Sequence, residues 1–175
     1  KFNDQAAGKH YNCMSVGDLM GLPIRQLYER NGAALLLWTP CSQLPAALAV
    51  LDAWGFWYRG IAFVWVKTTN AGKIISGQGV RPTMVKPTTE LVLAGATCRR
   101  GRPLPLTDES IGQVVWEDVV EPEPILAPRP DNIHSKKPPE VRTRIERLFG
   151  DVPRVELFAR GVPAPGWSAW GDQVT

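Results

Sequence analysis

The sequence predicts an α/β domain built on a mostly parallel sheet of at least four strands. Two continuous apolar runs, Ala33 to Thr39 and Ile61 to Lys67, are typical of strands covered on both faces. A helical pattern separates them, and another helix followed by a strand lies between Ile133 and Arg160. Strand, helix and strand joined by short turns predict a right-handed crossover between parallel strands.

Two helices are predicted in the first third of the chain. Ser15, followed three positions later by Asp18, resembles the capping box that starts a helix, and the apolar positions after it extend to Leu27. The second helix opens at Ser42, lies between the two apolar strands and ends at Gly55. Both helices are therefore placed to cover a sheet.

The third helix is the most regular pattern in the chain. One apolar stripe lies along it, formed by Val141, Ile145, Leu148 and Phe149. Pro138 and Pro139 suit its first turn, and Gly150 stands where a left-handed C-cap is expected. A short buried strand of Val155, Leu157 and Phe158 then brings Arg160 to its C-terminal end.

The middle of the chain is less regular. Glu90 to Thr97 is a further apolar strand, and 113–116 adds another candidate strand. The segment 68–89 has no periodicity, which is typical of a functional loop. The Pro- and Glu-rich segment 118–130 is predicted to be an exposed connection.

Size and composition indicate one domain. The chain has 175 residues and a mass of 19.3 kDa, with 44% hydrophobic and 21% charged residues, and no apolar run reaches the length of a membrane span. Its 3 cysteines are widely spaced, so neither a disulfide framework nor a zinc site is expected, and a reducing cytoplasm fits best. The chain begins with Lys1, which suggests that residues are missing upstream.

The charges are segregated along the chain although the net charge is only +3. Every charged residue from 59 to 102 is basic except Glu90, and residues 108–123 contain acidic residues but no basic one. A basic middle indicates a local surface that binds a polyanion, and the alternative is a chance cluster on a solvated face.

Two groups of residues predict a ligand site. Trp38 and Trp65 lie near the C-terminal ends of their strands, where α/β folds place ligands. Lysines before the third helix, together with Glu156 and Arg160, could converge on one anionic ligand that bears hydroxyls. The alternative is a solvated surface helix beside an ordinary core strand.

Nine short segments along the chain form a set: Y-N-C-M-S (11–15), L-L-L-W (35–38), A-W-G-F (53–56), F-V-W-V-K-T (63–68), T-E-L-V-L-A-G (89–95), H-S-K-K-P-P-E (134–140), I-E-R-L (145–148), V-E-L-F-A-R (155–160) and P-G-W-S-A-W-G-D-Q (165–173). In this order they resemble the N6-adenine methyltransferases related to the seventy-kilodalton subunit of the mRNA adenosine methyltransferase, including their bacterial and phage DNA-modifying relatives.

The resemblance implies a single methyltransferase domain over residues 1–175, with a target-binding loop at 68–89. Its sheet would be Rossmann-like and mostly parallel, with helices on both faces. The family's catalytic Asp-Pro-Pro-Trp motif would precede Lys1, so the first catalytic strand and every catalytic residue are expected upstream. The resemblance therefore leads us to expect a fragment truncated at its N-terminus or, alternatively, a degenerate homologue.

The resemblance also implies S-adenosylmethionine as cofactor and no metal. Lys137 matches the residue that pairs with the methionine carboxylate, with Ser135 and Lys136 beside it. Near the ribose and adenosine, the matching positions are Glu156, Phe158, Arg160, Asp172 and Gln173. The family usually has Asn where Asp172 stands, and Gly161 and Val162 replace polar residues of the eukaryotic relatives.

On the acceptor side, the resemblance implies an aromatic pocket and a basic entrance for an unstacked adenine. The pocket residues would be Tyr11, Trp38 and Trp65, with Lys67 and Glu90 near the adenosine; Lys73, Arg81 and Lys86 would hold the nucleic-acid backbone. The alternative for Glu90 is a strand-end charge paired with Lys86 or Arg99.

The function implied is adenine-specific DNA methylation in a bacterial cell or a phage-infected host. RNA adenosine methylation is a second enzymatic reading. A third reading is an inactive nucleic-acid-binding scaffold that pairs with an active subunit. The expected partner is DNA or RNA and not a membrane, and the resemblance is compatible with a homodimer or a heterodimer.

Overall fold

A computed structural model of the chain describes residues 12–28, 32–68, 74, 84–111, 125–128 and 137–175, with only the backbone for 125–128. In chain order the helices are α1 (Val16–Met20), α2 (Leu44–Ala53) and α3 (Pro139–Phe149). The longer strands are β1 (Ala34–Pro40), β2 (Trp57–Thr68), β3 (Thr89–Ala96) and β4 (Ile125–Pro128); the short ones are β5 (Val155–Leu157), β6 (Arg160–Gly161), β7 (Ser168–Trp170) and β8 (Gln173–Val174). Short 3-10 turns occupy Ile24–Gln26 and Cys41–Gln43.

The main sheet has the strand order β1-β3-β2-β4. β3 is antiparallel to both β1 and β2, and β2 is parallel to β4, so β1, β2 and β4 share one direction. The predicted α/β class is therefore confirmed, and three of the four strands do run the same way. The prediction of a mostly parallel sheet is not confirmed for the strand pairs, because the later strand β3 inserts between β1 and β2 and makes two of the three described pairs antiparallel.

The sheet is covered on both faces. Successive side chains of β3 point to opposite faces, and apolar residues on both sides of this strand are buried. Leu93 points to one side, where it packs in a cluster with Leu51 and Trp54 of the α2 region. Its neighbour Val92 points to the other side and packs with Phe63 and with Val141 of α3. Helices on both faces of the sheet were predicted and are observed.

The first helix is shorter than its apolar pattern predicts. Its capping box is present: the Ser15 hydroxyl accepts from the Asp18 N–H at 3.1 Å, and the Ser15 N–H donates to the Asp18 carboxylate at 3.2 Å. However, α1 ends at Met20, and Pro23 starts a separate 3-10 turn. The carbonyl of Leu19 then accepts the indole N–H of Trp54 at 2.7 Å, which ties this segment to α2.

Helix α3 follows its predicted boundaries. Pro138 is its N-cap and Pro139 its first residue. Gly150 ends it with the expected positive φ of +65°, but its ψ of −147° is not the left-handed helical value that was predicted. Thr107 completes the end of the helix, since its hydroxyl donates to the Arg147 carbonyl at 2.6 Å and its N–H to the Leu148 carbonyl at 2.9 Å.

The C-terminal strands form two small parallel pairs, β5 with β7 and β6 with β8. β5 stops at Leu157 because Phe158 has φ +59°, and Val155 is 43% exposed, so the prediction of a buried strand through Phe158 is wrong. β4 corrects the prediction of an exposed connection over 118–130.

Two other predicted features fall largely or wholly on residues that are not described. The candidate strand at 113–116 lies outside the described residues, and of the loop 68–89 only its two ends and Ile74 are described. Ile74 forms a bridge with Thr68. In the part of the chain that the structure covers, no helix has the length and apolar character needed to span a bilayer.

Candidate functional site

The candidate site lies where β1 and β2 end and β3 begins. Glu90, the second residue of β3, is opposite Pro40 of β1 and Trp65 of β2. Because side chains two residues apart share a face, Glu90 projects to the same side as Val92, which is the face that α3 covers. Lys67, two residues beyond Trp65, joins this face. The sheet register therefore brings one carboxylate and one ammonium to the same edge.

Glu90 is held by two lysines. Its Oε1 is 2.7 Å from Lys67 Nζ, and its Oε2 accepts a hydrogen bond of 2.5 Å from Lys137 Nζ. The Glu90 side chain is only 12% exposed, whereas those of Lys67 and Lys137 are 28% and 30% exposed. The alternative that Glu90 pairs with Lys86 or Arg99 is wrong, because Lys67 and Lys137 occupy both of its oxygens.

The ionisation of Glu90 follows from this environment. Burial alone would raise the pKa of the carboxyl group, and this is the largest single influence. The charges and hydrogen bonds of Lys137 and Lys67 together outweigh it, so the pKa of Glu90 lies below its ordinary value. Glu90 is thus a buried carboxylate that stays ionised at neutral pH.

Two tryptophans form the wall beside these charges. Trp38 and Trp65 meet edge to face, with ring centroids 5.9 Å apart. Lys137 Nζ lies 5.1 Å from the Trp38 centroid, and Lys67 Nζ lies 5.4 Å from that of Trp65. Trp65 is buried, and its indole N–H makes no hydrogen bond within the described part of the chain. Both tryptophans are near the strand ends, as predicted.

This cluster of Trp38, Trp65, Lys67, Glu90 and Lys137 carries a net charge of +1, since two ammonium groups face one carboxylate. Lys137 can release Glu90 and pair with the carboxylate of a ligand instead. Lys67 would then remain paired with Glu90, so neither lysine would lack a partner. Glu90 would then have an oxygen free to accept a hydrogen bond from an amine. The cluster is therefore suited to bind an anion and a hydrogen-bond donor side by side.

The second group of predicted site residues lies on the short C-terminal strands and in the turns between them. Arg160 is paired with Gln173 in the β6–β8 register, and its Nε donates to the Gln173 side-chain oxygen. Asp172 accepts a hydrogen bond of 3.3 Å from the side chain of Asn12. Phe158, in its positive-φ conformation, packs edge to face on Trp170 with centroids 5.3 Å apart.

Glu156 of β5 has a partner that the sequence did not reveal. Arg142 of α3 donates from Nη2 to Glu156 Oε2 at 2.6 Å. In the sequence, Arg142 was only one of several charges on the polar faces of α3, and no motif distinguished it. Helix α3 thus connects the two groups, since Lys137 precedes it by two residues and Arg142 lies in its first turns.

Several predicted site residues are not part of these clusters. Tyr11, Lys73, Arg81, Ser135 and Lys136 lie outside the described residues. Lys86 is described and exposed, but it is not a partner of Glu90. Over the described ranges, no group of three or more His, Cys, Asp or Glu side chains is placed to hold a metal ion.

The chain is similar to known proteins along nearly its whole length. It is 26% identical over 171 residues to the type II methyltransferase M.MunI of a Mycoplasma species, and this match covers 97% of the chain and 62% of that protein. It is 25% identical over 166 residues to the human N(6)-adenine-specific methyltransferase METTL4, covering 94% of the chain and 33% of that protein. The chain therefore spans less than two thirds of either relative.

The family assignment rests on a match over almost the entire sequence. The MT-A70 family model matches residues 2–173, which confirms the resemblance carried by the nine sequence segments. The chain belongs to the MT-A70 family.

Proposed function

We propose that this protein transfers a methyl group from S-adenosylmethionine to the exocyclic N6 amine of adenine in DNA. The observation that carries the proposal is the double ion pair of Glu90. It joins Lys137, expected on the donor side, to Lys67, expected on the acceptor side. A transfer reaction needs its two substrates in contact, and residues of both sides meet here on one carboxylate.

The residues on the donor side have the chemistry that S-adenosylmethionine requires. Lys137, already poised on a carboxylate, supplies the cation for the carboxylate of the methionine part. Glu156 is a carboxylate that can accept hydrogen bonds from ribose hydroxyls. Asp172 and Gln173 offer polar groups for the adenosine end, and the rings of Phe158 and Trp170 lie close by.

When bound, S-adenosylmethionine supplies an electrophilic methyl group that the adenine amine can take, leaving a neutral thioether and one proton. The adenine amine is a poor nucleophile because its lone pair is delocalised into the ring. Glu90, ionised and desolvated, would accept a hydrogen bond from this amine and hold it in position. Trp38 and Trp65 provide an aromatic wall for the base.

DNA is favoured as the acceptor by one comparison and by the charge pattern. The Mycoplasma relative is named a type II methyltransferase, and the human relative is named N(6)-adenine-specific. The basic residues between 59 and 102 would contact phosphates along the acceptor strand. RNA also contains adenine, so it is the alternative acceptor, and it is tested together with DNA.

The test measures transfer of labelled methyl groups by the complete gene product, including any residues that precede Lys1. The acceptors are random-sequence DNA, the same DNA with N6-methyladenine in place of adenine, and RNA of matching composition. We expect label in the first DNA only. Glu90→Gln should lower the rate strongly, whereas Arg147→Met, which removes an exposed ion pair on α3, should not.

The outcomes separate the candidate functions. Label in RNA alone would replace DNA by RNA as the acceptor. Binding of the cofactor without transfer to either polynucleotide would overturn the enzymatic proposal and favour the inactive scaffold. Label in the N6-methylated DNA would show either that another atom is the acceptor or that N6 takes a second methyl group, and identification of the labelled base by mass spectrometry distinguishes the two.

A further inference from the structure

The Arg142–Glu156 ion pair connects α3 to β5 at the point where the donor ribose is expected. Nη2 of Arg142 is 2.6 Å from Oε2 of Glu156, and the two side chains are 35% and 39% exposed. An isolated pair that is this accessible to water contributes little to stability. The ion pair can still fix the direction of the Glu156 side chain, because a hydrogen-bonded carboxylate loses rotational freedom.

Arg142 is itself held in place. The carbon of its guanidinium lies 5.8 Å from the centroid of the Trp167 ring. The indole N–H of Trp167 donates to Glu146 Oε1 at 2.7 Å, so the ring is fixed to the same helix. The guanidinium of Arg154 lies 5.9 Å from the same ring. The guanidinium of Arg142 therefore contacts Glu156 while it lies beside the Trp167 ring, which is hydrogen-bonded to Glu146 of α3.

Among the described residues, only one oxygen of the Glu156 carboxylate has a partner. Arg142 engages Oε2, and no described residue takes Oε1 in a hydrogen bond or an ion pair. A carboxylate with one oxygen clamped by a guanidinium presents the other oxygen in a defined direction, which suits a ribose hydroxyl as donor. Without Arg142, Glu156 would be a partly exposed side chain that samples several rotamers, and binding would have to restrict it.

We propose that Arg142 is a positioning residue that aims Glu156 at the ribose hydroxyls of the methyl donor. This inference rests on the proposed function, because it takes the nucleoside of the donor as the ligand of Glu156. It concerns a residue of this chain that no sequence motif marked. Arg142 touches the carboxylate and not the ligand, so its effect must pass through Glu156.

The test measures, by calorimetry, the affinity of the complete gene product for two probes, S-adenosylhomocysteine and its 2′,3′-dideoxy analogue. We expect Arg142→Met to weaken S-adenosylhomocysteine binding by about fivefold to tenfold, the range of moderate coupling between side chains in contact. The affinity for the dideoxy analogue should not change. Glu156→Gln should show the same selectivity, and the double variant should lose no more than Glu156→Gln alone.

Arg147→Met is the matched control. Arg147 lies on the same helix and pairs with Asp108 at 2.8 Å, so its replacement removes an equivalent ion pair from a surface without candidate site residues. Its affinity for both probes should equal that of the unmodified protein. Arg142→Lys keeps the charge but lacks the planar guanidinium, and it should recover part of the S-adenosylhomocysteine affinity.

Three results would overturn the inference. Equal binding of S-adenosylhomocysteine by Arg142→Met and the unmodified protein would show that Glu156 needs no support. An equal loss of affinity for both probes would indicate a general structural effect. If Arg142→Met does not fold, the same comparison of the two affinities is made with Arg142→Lys. Failure of the unmodified protein to bind S-adenosylhomocysteine would overturn the proposed function as well, which distinguishes the two failures.

Discussion

Replacing Glu90 by Gln tests whether the buried carboxylate holds the sheet edge together. The change keeps the shape of the side chain but removes the charge between Lys67 and Lys137. The amide oxygen of Gln can still accept from one lysine, while its NH2 group faces the other lysine, donor against donor. The variant therefore loses one charge-assisted hydrogen bond outright and weakens the second.

The size of the effect follows from burial. A hydrogen bond to a charged group contributes about 1.5–3 kcal/mol. Water can replace part of this, because the two lysine side chains remain 28% and 30% exposed. We therefore expect the free energy of unfolding to fall by about 2 kcal/mol at pH 7, which corresponds to a fall in Tm of about 4–8 °C for a domain of this size.

The pH dependence supplies an independent check. The pKa of Glu90 is lower in the folded chain than its ordinary value of about 4.3, so its contribution to stability is present above that pH. It is lost as the pH falls through the lowered folded pKa. The difference in stability between the unmodified protein and Glu90→Gln should stay constant from neutral pH to about pH 5 and narrow below about pH 4.

Urea unfolding between pH 3 and 7 measures both effects. Asp108→Asn is the control: hydrogen bonds from Ser110 and Arg147 also lower the pKa of Asp108, but this pair lies at the surface, with the Arg147 side chain 59% exposed, so its replacement should matter less. A Glu90→Gln variant within about 0.5 kcal/mol of the unmodified protein at pH 7 would refute the reasoning. It would mean that water satisfies both lysines.

Two further predictions concern the ends of α3. Lys137→Ala should weaken S-adenosylhomocysteine binding by about 1.5–3 kcal/mol in calorimetry, whereas Lys67→Ala, which loses the same Glu90 partner, should bind nearly normally; equal losses would contradict the assignment of Lys137 to the donor. Gly150→Ala should lower the urea midpoint by the equivalent of about 1–3 kcal/mol, because φ is +65° and a Cβ would lie 2.7 Å from the Thr107 side chain. Gly32→Ala, with nothing within 4 Å of its Cβ, should leave the midpoint unchanged.

The elements of the fold were largely predictable because their signals are local. The apolar stripe of α3 and the glycine after it placed that helix within a residue of its observed ends. The partners of the strands were not predictable in this way. The apolar run from Glu90 to Thr97 predicts a strand, but nothing within those residues indicates that it inserts between two earlier strands. β4 was missed because it has only four residues, ends in Pro128 and lies in a segment rich in Pro and Glu.

In the candidate site, too, individual residues could be predicted from the sequence, but the contacts between them could not. Lys137 and Glu90 were each identified from family segments, yet their ion pair joins positions 47 apart in the chain and depends on the packing of α3 on the sheet. Arg142 gave no signal, since an arginine on the polar face of a helix is ordinary. Its ion pair with Glu156 is visible only in the structure, where β5 places Glu156 opposite it.

The central place of β3 has a consequence for how the molecule is made. During synthesis, β1 and β2 emerge from the ribosome before the strand that must lie between them, and no ladder joins them to each other in the described sheet. β1 and β2 become part of one sheet only when Thr89–Ala96 pairs with both of them. This pairing is a non-local step, and such steps are intrinsically slow. Glu90 arrives with that strand. Lys137 emerges 47 residues later, so the charge cluster is complete only after β3 has inserted and α3 has packed on the sheet.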